Sequence, residues 1–195
     1  MTPPEDPAKL VLMMGISLDG FVAVRSGNGL TPVMEGGRLP AEDPELTKTK
    51  LDWIWEAGAH LMGRTTYQEM AGFWPTSTHD YAAPMNEIPK VVFSKDLERA
   101  DWPDSRIARG DLAEEITKLK HDSDKDLIAW GGASFAQSLA RHGLVDEYRL
   151  TTHPVAVAEG EPLFKDIPAP VLLKLVESKT FTSAAVHVYQ PRARV

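Results

Sequence analysis

Leu61-Met62-Gly63-Arg64-Thr65-Thr66-Tyr67 (LMGRTTY) is the stretch on which the fold turns. A short apolar run from Ala59 ends at Gly63, and a cation and two hydroxyls follow before a short helix running to Gly72. A strand that stops at glycine and opens a helix leaves the first helical amides unpaired and positively polarised, which suits a bound phosphate. Taken alone, the same residues also describe a plain strand–helix turn with a threonine cap.

The pattern recurs on both sides of this stretch. Lys9 to Gly15 (KLVLMMG) reads as a buried strand ended by glycine. Lys90 to Phe93 (KVVF) is a β-branched strand closed by Ser94-Lys95, and Arg106 to Ala108 is a weaker one. Asp126 to Trp130 leads into Gly131-Gly132-Ala133-Ser134 and a helix with Phe135 and Leu139 on one face, stopped by Gly143. Between these strands, Asp43-Pro44 opens a helix whose apolar face is Leu51, Ile54 and Trp55, and Asp111 to Glu114 opens another that reaches His121. Glu147–Thr152, Val171–Ser178 and Ala184–Tyr189 read as strands, the last two separated by a turn too short for a parallel crossover. Ser26 to Asp43, with glycines 27, 29, 36 and 37, reads as a long loop, and Phe73 to Pro89, with prolines 75, 84 and 89, as an irregular insert.

Strands alternating with helices predict an α/β fold. Its sheet is mixed, mainly parallel with an antiparallel C-terminal edge, and has helices on both faces. Residues 9–191 make a single domain behind a flexible tail, residues 1–8. Bulk properties exclude several alternatives. The net charge of −7 and the scattered cations argue against a nucleic-acid surface. The absence of cysteine removes disulfides and thiolate chemistry. No apolar run suits a signal peptide or a membrane span, so the expected location is cytoplasmic. The six histidines show no metal-ligand spacing, so no metal is expected.

Three anion-suited turns then stand at strand ends: Gly63–Thr66, Ser94-Lys95 and Gly131–Ser134. Each by itself serves equally as an ordinary turn, and neither GxGxxG nor a P-loop is present. Together they suggest the phosphate chain of a dinucleotide, since ligands of open α/β sheets sit at strand carboxyl ends.

The order of motifs resembles the dihydrofolate-reductase-like family, which includes the reductase domain of bacterial riboflavin biosynthesis. Met13 to Phe21 (MMGISLDGF) resembles the family's opening strand and turn, and Leu61 to Tyr67 its cofactor turn. Phe73-Trp74-Pro75, Val92-Phe93-Ser94, Gly143 to Glu147, His153-Pro154-Val155 and Pro162-Leu163-Phe164 also match in order. The resemblance implies NADPH-dependent hydride transfer. It places Gly63, Arg64, Thr65 and Thr66 on the cofactor phosphates and Ser94 and Lys95 by the adenosine 2′-phosphate. It places Gly131, Gly132, Ala133, Ser134 and Phe135 on the pyrophosphate, with Gly15, Val22 and Ala23 beside the nicotinamide. It also implies a homodimer, for which the C-terminal strands would offer an edge. The chain departs from folate reductases at Thr47, where they carry an acid, and at Ile88, where they carry the arginine that holds the folate tail. A true folate reductase is therefore not expected. The turn before Leu163, Ala158-Glu159-Gly160-Glu161, keeps a single glycine where relatives carry more.

Hydride transfer also needs a proton. Asp19 is the first candidate by position and Glu45 the second, although a turn aspartate and a first-turn helix acid are their ordinary readings. Trp55, Phe73 and Trp74 are candidate walls for a flat substrate, or ordinary core aromatics. The expected activity is reduction of a small unsaturated heterocycle. The alternatives are pyrimidine reduction in riboflavin synthesis, or a dimeric nucleotide-binding module without catalysis.

Overall fold

The computed structural model describes residues 7–26, 29–32 and 43–192. Its strands and helices, in chain order, are β1 (Leu10–Ser17), β2 (Phe21–Ser26), β3 (Gly29–Pro32), α1 (Pro44–Trp55), β4 (Ala59–Gly63), α2 (Arg64–Phe73), α3 (Ala82–Glu87), β5 (Lys90–Phe93), β6 (Ser105–Ala108), α4 (Leu112–Asp122), β7 (Leu127–Trp130), α5 (Ala133–Arg141), β8 (Glu147–His153), β9 (Glu161–Pro162), β10 (Leu173–Thr180) and β11 (Ala185–Pro191). Eight strands form one sheet in the order β10-β11-β8-β1-β7-β4-β5-β6. The pairs from β8 through β6 are parallel, and those of β11 with β8 and β10 are antiparallel. This is the expected dihydrofolate-reductase-like mixed sheet.

Strand periodicity of two sorts the core onto two faces. Leu10, Leu12, Leu61, Val91, Leu127 and Ala129 meet Ile116 of α4 and Ala136 and Leu139 of α5. Val11, Met13, Met62, Val92 and Ile128 meet Ile54 of α1, Tyr67 of α2 and Met85 of α3. Both faces are covered, which is why these strands read as continuous apolar runs.

The sequence-based expectations need five corrections. Ala8, assigned to the tail, is buried and donates its N–H to the Lys120 carbonyl, so order begins before Lys9. Within the expected loop Ser26–Asp43, Gly29–Pro32 forms a strand, while residues 27–28 and 33–42 lie outside the described residues. A small second sheet, β3-β2-β9, was not foreseen, because β9 has only two residues. The insert Phe73–Pro89 contains a 3₁₀ turn, Trp74–Thr76, and α3. Pro84 reads as a breaker, but it sits in the first turn of α3, where its missing N–H costs nothing. On α1 the buried face is Leu46 and Ile54, and Trp55 is 42% exposed.

Two buried polar side chains tie segments together. Lys90 is wholly buried: its ammonium donates to the Asn86 and Pro103 carbonyls and lies 4.8 Å from the centre of the Trp102 ring. His60, also wholly buried, contacts the Pro84 carbonyl through Nε2 at 3.2 Å, and its Nδ1 accepts the Trp130 indole N–H at 3.0 Å. That pairing requires a neutral ring with its proton on Nε2. Burial pushes the His60 pKa down to about 4, below its ordinary 6.5.

A His held neutral in the fold stabilises fully above pH 6.5, and this contribution is lost as pH falls from 6.5 towards 4. Between pH 7.5 and 4.5 the loss from His60 is about 2–3 kcal/mol by linkage. Urea unfolding at the two pH values should show it, and His60→Gln, which can keep both hydrogen bonds without titrating, should show that much less acid sensitivity. Equal sensitivity of the two proteins would refute the assignment.

Candidate cofactor site at the carboxyl edge of the sheet

Parallel pairing sends the carboxyl ends of β1, β7, β4, β5 and β6 to one edge. β4 connects through α2 to β5 on one side, whereas β7 connects through α5 to β8 on the other. The connections therefore diverge between β4 and β7, and α2 and α5 lie on opposite faces. A crevice at such a divergence is where open α/β sheets bind ligands.

The three anion-suited turns stand at this divergence, on the adjacent strand ends of β7, β4 and β5. Gly63 and Gly132 are the N-caps of α2 and α5, and neither helix has a side-chain cap. By contrast, Asp43 caps α1 by accepting from the Glu45 N–H, and Asp111 caps α4 by accepting from Ala113 and Glu114. Of the five described α-helices, α1 and α4 thus hold their own carboxylate, whereas α2, α5 and the short α3 do not.

Close approach explains the paired glycines. A Cβ on Gly132 would stand 2.7 Å from the Thr66 hydroxyl, and one on Gly131 would run into the Met14 side chain of β1, its methyl end first. A larger residue at position 132 would press on the first turn of α2, and one at 131 would displace the Met14 side chain. Thr66 is buried beneath this contact, while Arg64, Thr65 and Ser134 are exposed and Ala133 packs into the core. Phe135 is partly buried against Phe93, with ring centres 5.2 Å apart, and its side chain packs against Gly63, where an added Cβ would stand 3.3 Å from the Phe135 Cβ.

At the next strand end, Ser94 Oγ accepts the Asp96 and Leu97 N–H groups at 3.3 and 3.0 Å, which shapes the turn. Lys95 is exposed. Arg109, not singled out from sequence, follows β6 and donates to the carbonyls of Lys95 and Leu97 at 3.1 and 2.6 Å. The signal was present, a cation at the end of a weak strand, as at Lys95. Arg64 stands 4.0 Å from Asp96, an exposed pair that a more highly charged anion can displace. Trp130 was also missed; it ends central strand β7 with its indole fixed by His60.

The expected nicotinamide neighbours are near but differently used. Gly15 lies on β1 at this edge, whereas Val22 and Ala23 are 2% and 5% exposed and pack in the core, leaving only main chain to meet a ligand.

The catalytic and substrate candidates fare less well. Asp19 accepts four hydrogen bonds: from Ser17 Oγ at 2.6 Å, from the Val157 N–H at 3.2 and 3.1 Å, and from the Ala158 N–H at 2.8 Å. The Ser17 hydroxyl holds its carboxyl below the usual range, and the two amides reinforce this. Asp19 is an ionised clamp, the opposite of a proton donor. Glu45 is exposed on the first turn of α1, and Asp52 is tied to Lys48 at 2.6 Å on the same helix. Trp55 leads into the amino end of β4, at the opposite edge from the glycine turns. Phe73 ends α2, about 13–14 Å along that helix from Arg64. It is 48% exposed and packs edge-on against Trp74 at 4.8 Å. Among the described residues no helix is long and apolar enough to cross a membrane.

Comparison with known proteins agrees with this architecture. The Bacillus subtilis protein YyaP, itself uncharacterized, is 29% identical over 185 residues, covering 92% of this chain and 93% of its own length. A pyrimidine reductase-like protein of Corynebacterium diphtheriae superposes with a TM-score of 0.67 at 14% identity, over 96% of this chain and 93% of that one. The Thermotoga maritima diaminohydroxyphosphoribosylaminopyrimidine deaminase/5-amino-6-(5-phosphoribosylamino)uracil reductase superposes with a TM-score of 0.65 at 16% identity, over 95% of this chain but 57% of that one. Residues 8–187 match the model of the RibD C-terminal domain, nearly the whole described chain, and the protein belongs to that family.

Proposed function

We propose that this protein is an NADPH-dependent reductase of a small heterocycle bearing a C=N or C=O bond. The observation that carries the reading is the pair of uncapped helix N-termini, α2 and α5, meeting from opposite faces at the adjacent ends of β4 and β7, beside Arg64. Their free amides and the glycine turns suit a pyrophosphate, and Ser94, Lys95 and Arg64 suit a further phosphate on the adenosine side. The donor set fits the cofactor.

When bound, NADPH supplies the hydride. The chain's own part is to hold the phosphates, orient the nicotinamide half near Gly15 and exclude competing geometries. Asp19 is ionised and engaged, so we assign the proton to water at the open edge rather than to that residue. Kinship with the RibD C-terminal domain makes an amino-uracil of the kind named for the Thermotoga enzyme the first substrate class to try.

Titration with NADPH and NADH, followed by nucleotide fluorescence, tests the cofactor. NADPH should bind preferentially, and Arg64→Ala should weaken it about tenfold, some 1.4 kcal/mol. Wild-type protein that binds neither nucleotide would overturn the reading. Binding without NADPH oxidation on adding carbonyl or imine heterocycles would favour a module without catalysis.

The proposed partner is a second copy of the chain. β10 ends the sheet with Lys174 to Thr180 all exposed, and Leu172, Leu175 and Val176 are 66%, 52% and 48% exposed. A two-fold antiparallel approach centred on Leu175 and Val176 brings Lys174 of each copy towards Glu177 of the other, so the edge is self-complementary. Light scattering should find a dimer at micromolar concentration, and Leu175→Lys with Val176→Lys should yield a folded monomer. A monomeric wild type would refute the pairing.

A further inference from the structure

The bonds made by Asp19 join two parts of the molecule that are far apart in sequence. It lies in the turn between β1 and β2, and the amides it accepts, Val157 and Ala158, belong to the strap between β8 and β9. The same carboxylate orients the Ser17 hydroxyl, whose oxygen takes the Phe21 N–H at 2.9 Å where β2 begins. Leu18 adds a bond from its N–H to the Val155 carbonyl at 2.8 Å.

Backbone geometry shows that the strap is held in a disfavoured shape. Ala158 has φ +64°, a left-handed conformation costly for a residue with a Cβ. Its N–H is one of those that Asp19 binds, so the carboxylate compensates the strain it sits beside. Beyond the strap, β9 pairs with β2 through Phe21–Pro162 and Ala23–Glu161. Asp19 therefore braces the junction of the small sheet with the main sheet, together with the Leu18–Val155 bond, the Gln137 side chain that donates to the Pro162 carbonyl at 2.8 Å, and the burial of Val22 and Ala23.

We infer that Asp19 is a positioning residue for the nicotinamide half of the cofactor site: it locks the β8–β9 strap onto the β1–β2 turn, so that Gly15 and the main chain of Val22 and Ala23 form one rigid wall. This rests on the proposed NADPH reading. The effect is local, because β1 is separated from β5, which carries Ser94, by β7 and β4. Three strand spacings make about 14 Å between the two ends of the site. Loss of the clamp should loosen one end and leave the adenosine end intact.

The test compares NADPH with adenosine 2′,5′-diphosphate, which carries the adenosine-side phosphates and no nicotinamide. Asp19→Ala should weaken NADPH at least fivefold while changing the diphosphate less than twofold. Asp19→Asn, which keeps one acceptor oxygen, should fall between Ala and wild type. Amide hydrogen exchange at Val157 and Ala158 should rise in Asp19→Ala, independently of any ligand. Equal weakening of both nucleotides, unchanged NADPH binding, or unchanged exchange at the two amides would overturn the inference. If wild-type protein bound the diphosphate but gained nothing from the nicotinamide half, the positioning role would fall and the phosphate site would stand. If it bound neither, the cofactor reading would fall and the positioning role with it.

Discussion

Parallel pairing of neighbouring strands governs everything else in this molecule. A parallel neighbour cannot be reached by a hairpin, so each such pair demands a crossover, and right-handed crossovers to opposite sides must cover opposite faces. Here the direction changes between β4 and β7. α2 and α5 therefore start on adjacent strand ends, from opposite faces, and their first turns touch at Thr66 and Gly132. The side-by-side placing of the two turns and their close approach both descend from that topology.

Electrostatics then separates the helix ends. Asp43 and Asp111 close α1 and α4 with their own carboxylates, whereas α2 and α5 begin on glycine. The same logic resolves Asp19. Position at a strand end made it look like an acid for proton transfer, but a carboxylate accepting four hydrogen bonds is stabilised in its charged form. What matters for a carboxyl group is whom it accepts from: here chiefly Ser17, two residues back, with amides nearly 140 positions away adding to it.

This contrast explains what could be read from the sequence. The main sheet, its antiparallel edge and the three turns were legible because each is written locally, in apolar runs such as KVVF and DLIAW and the glycines that end them. β9 was not legible, since two residues carry no periodicity and pair only through β2. α3 was hidden by Pro84, a breaker in general and harmless in a first turn. Trp55 was misassigned because a helix period allows a broad face, and the choice of Leu46 over Trp55 follows from packing against Phe181 and Val186 of the last hairpin. Arg109 and Trp130 acquire meaning only once β6 and β7 are seen to end at the same edge as β4.

Lys90 shows how such burial shapes the folding of a whole segment. Its ammonium is supported from three directions: the end of α3, the turn before β6 and the ring of Trp102. Removing one support while the ammonium stays buried leaves the charge short of a partner, which is strongly unfavourable inside a protein. The stretch from α3 to β6 is thereby cross-braced through a single side chain, so that loosening any one of the three supports weakens the hold of the other two.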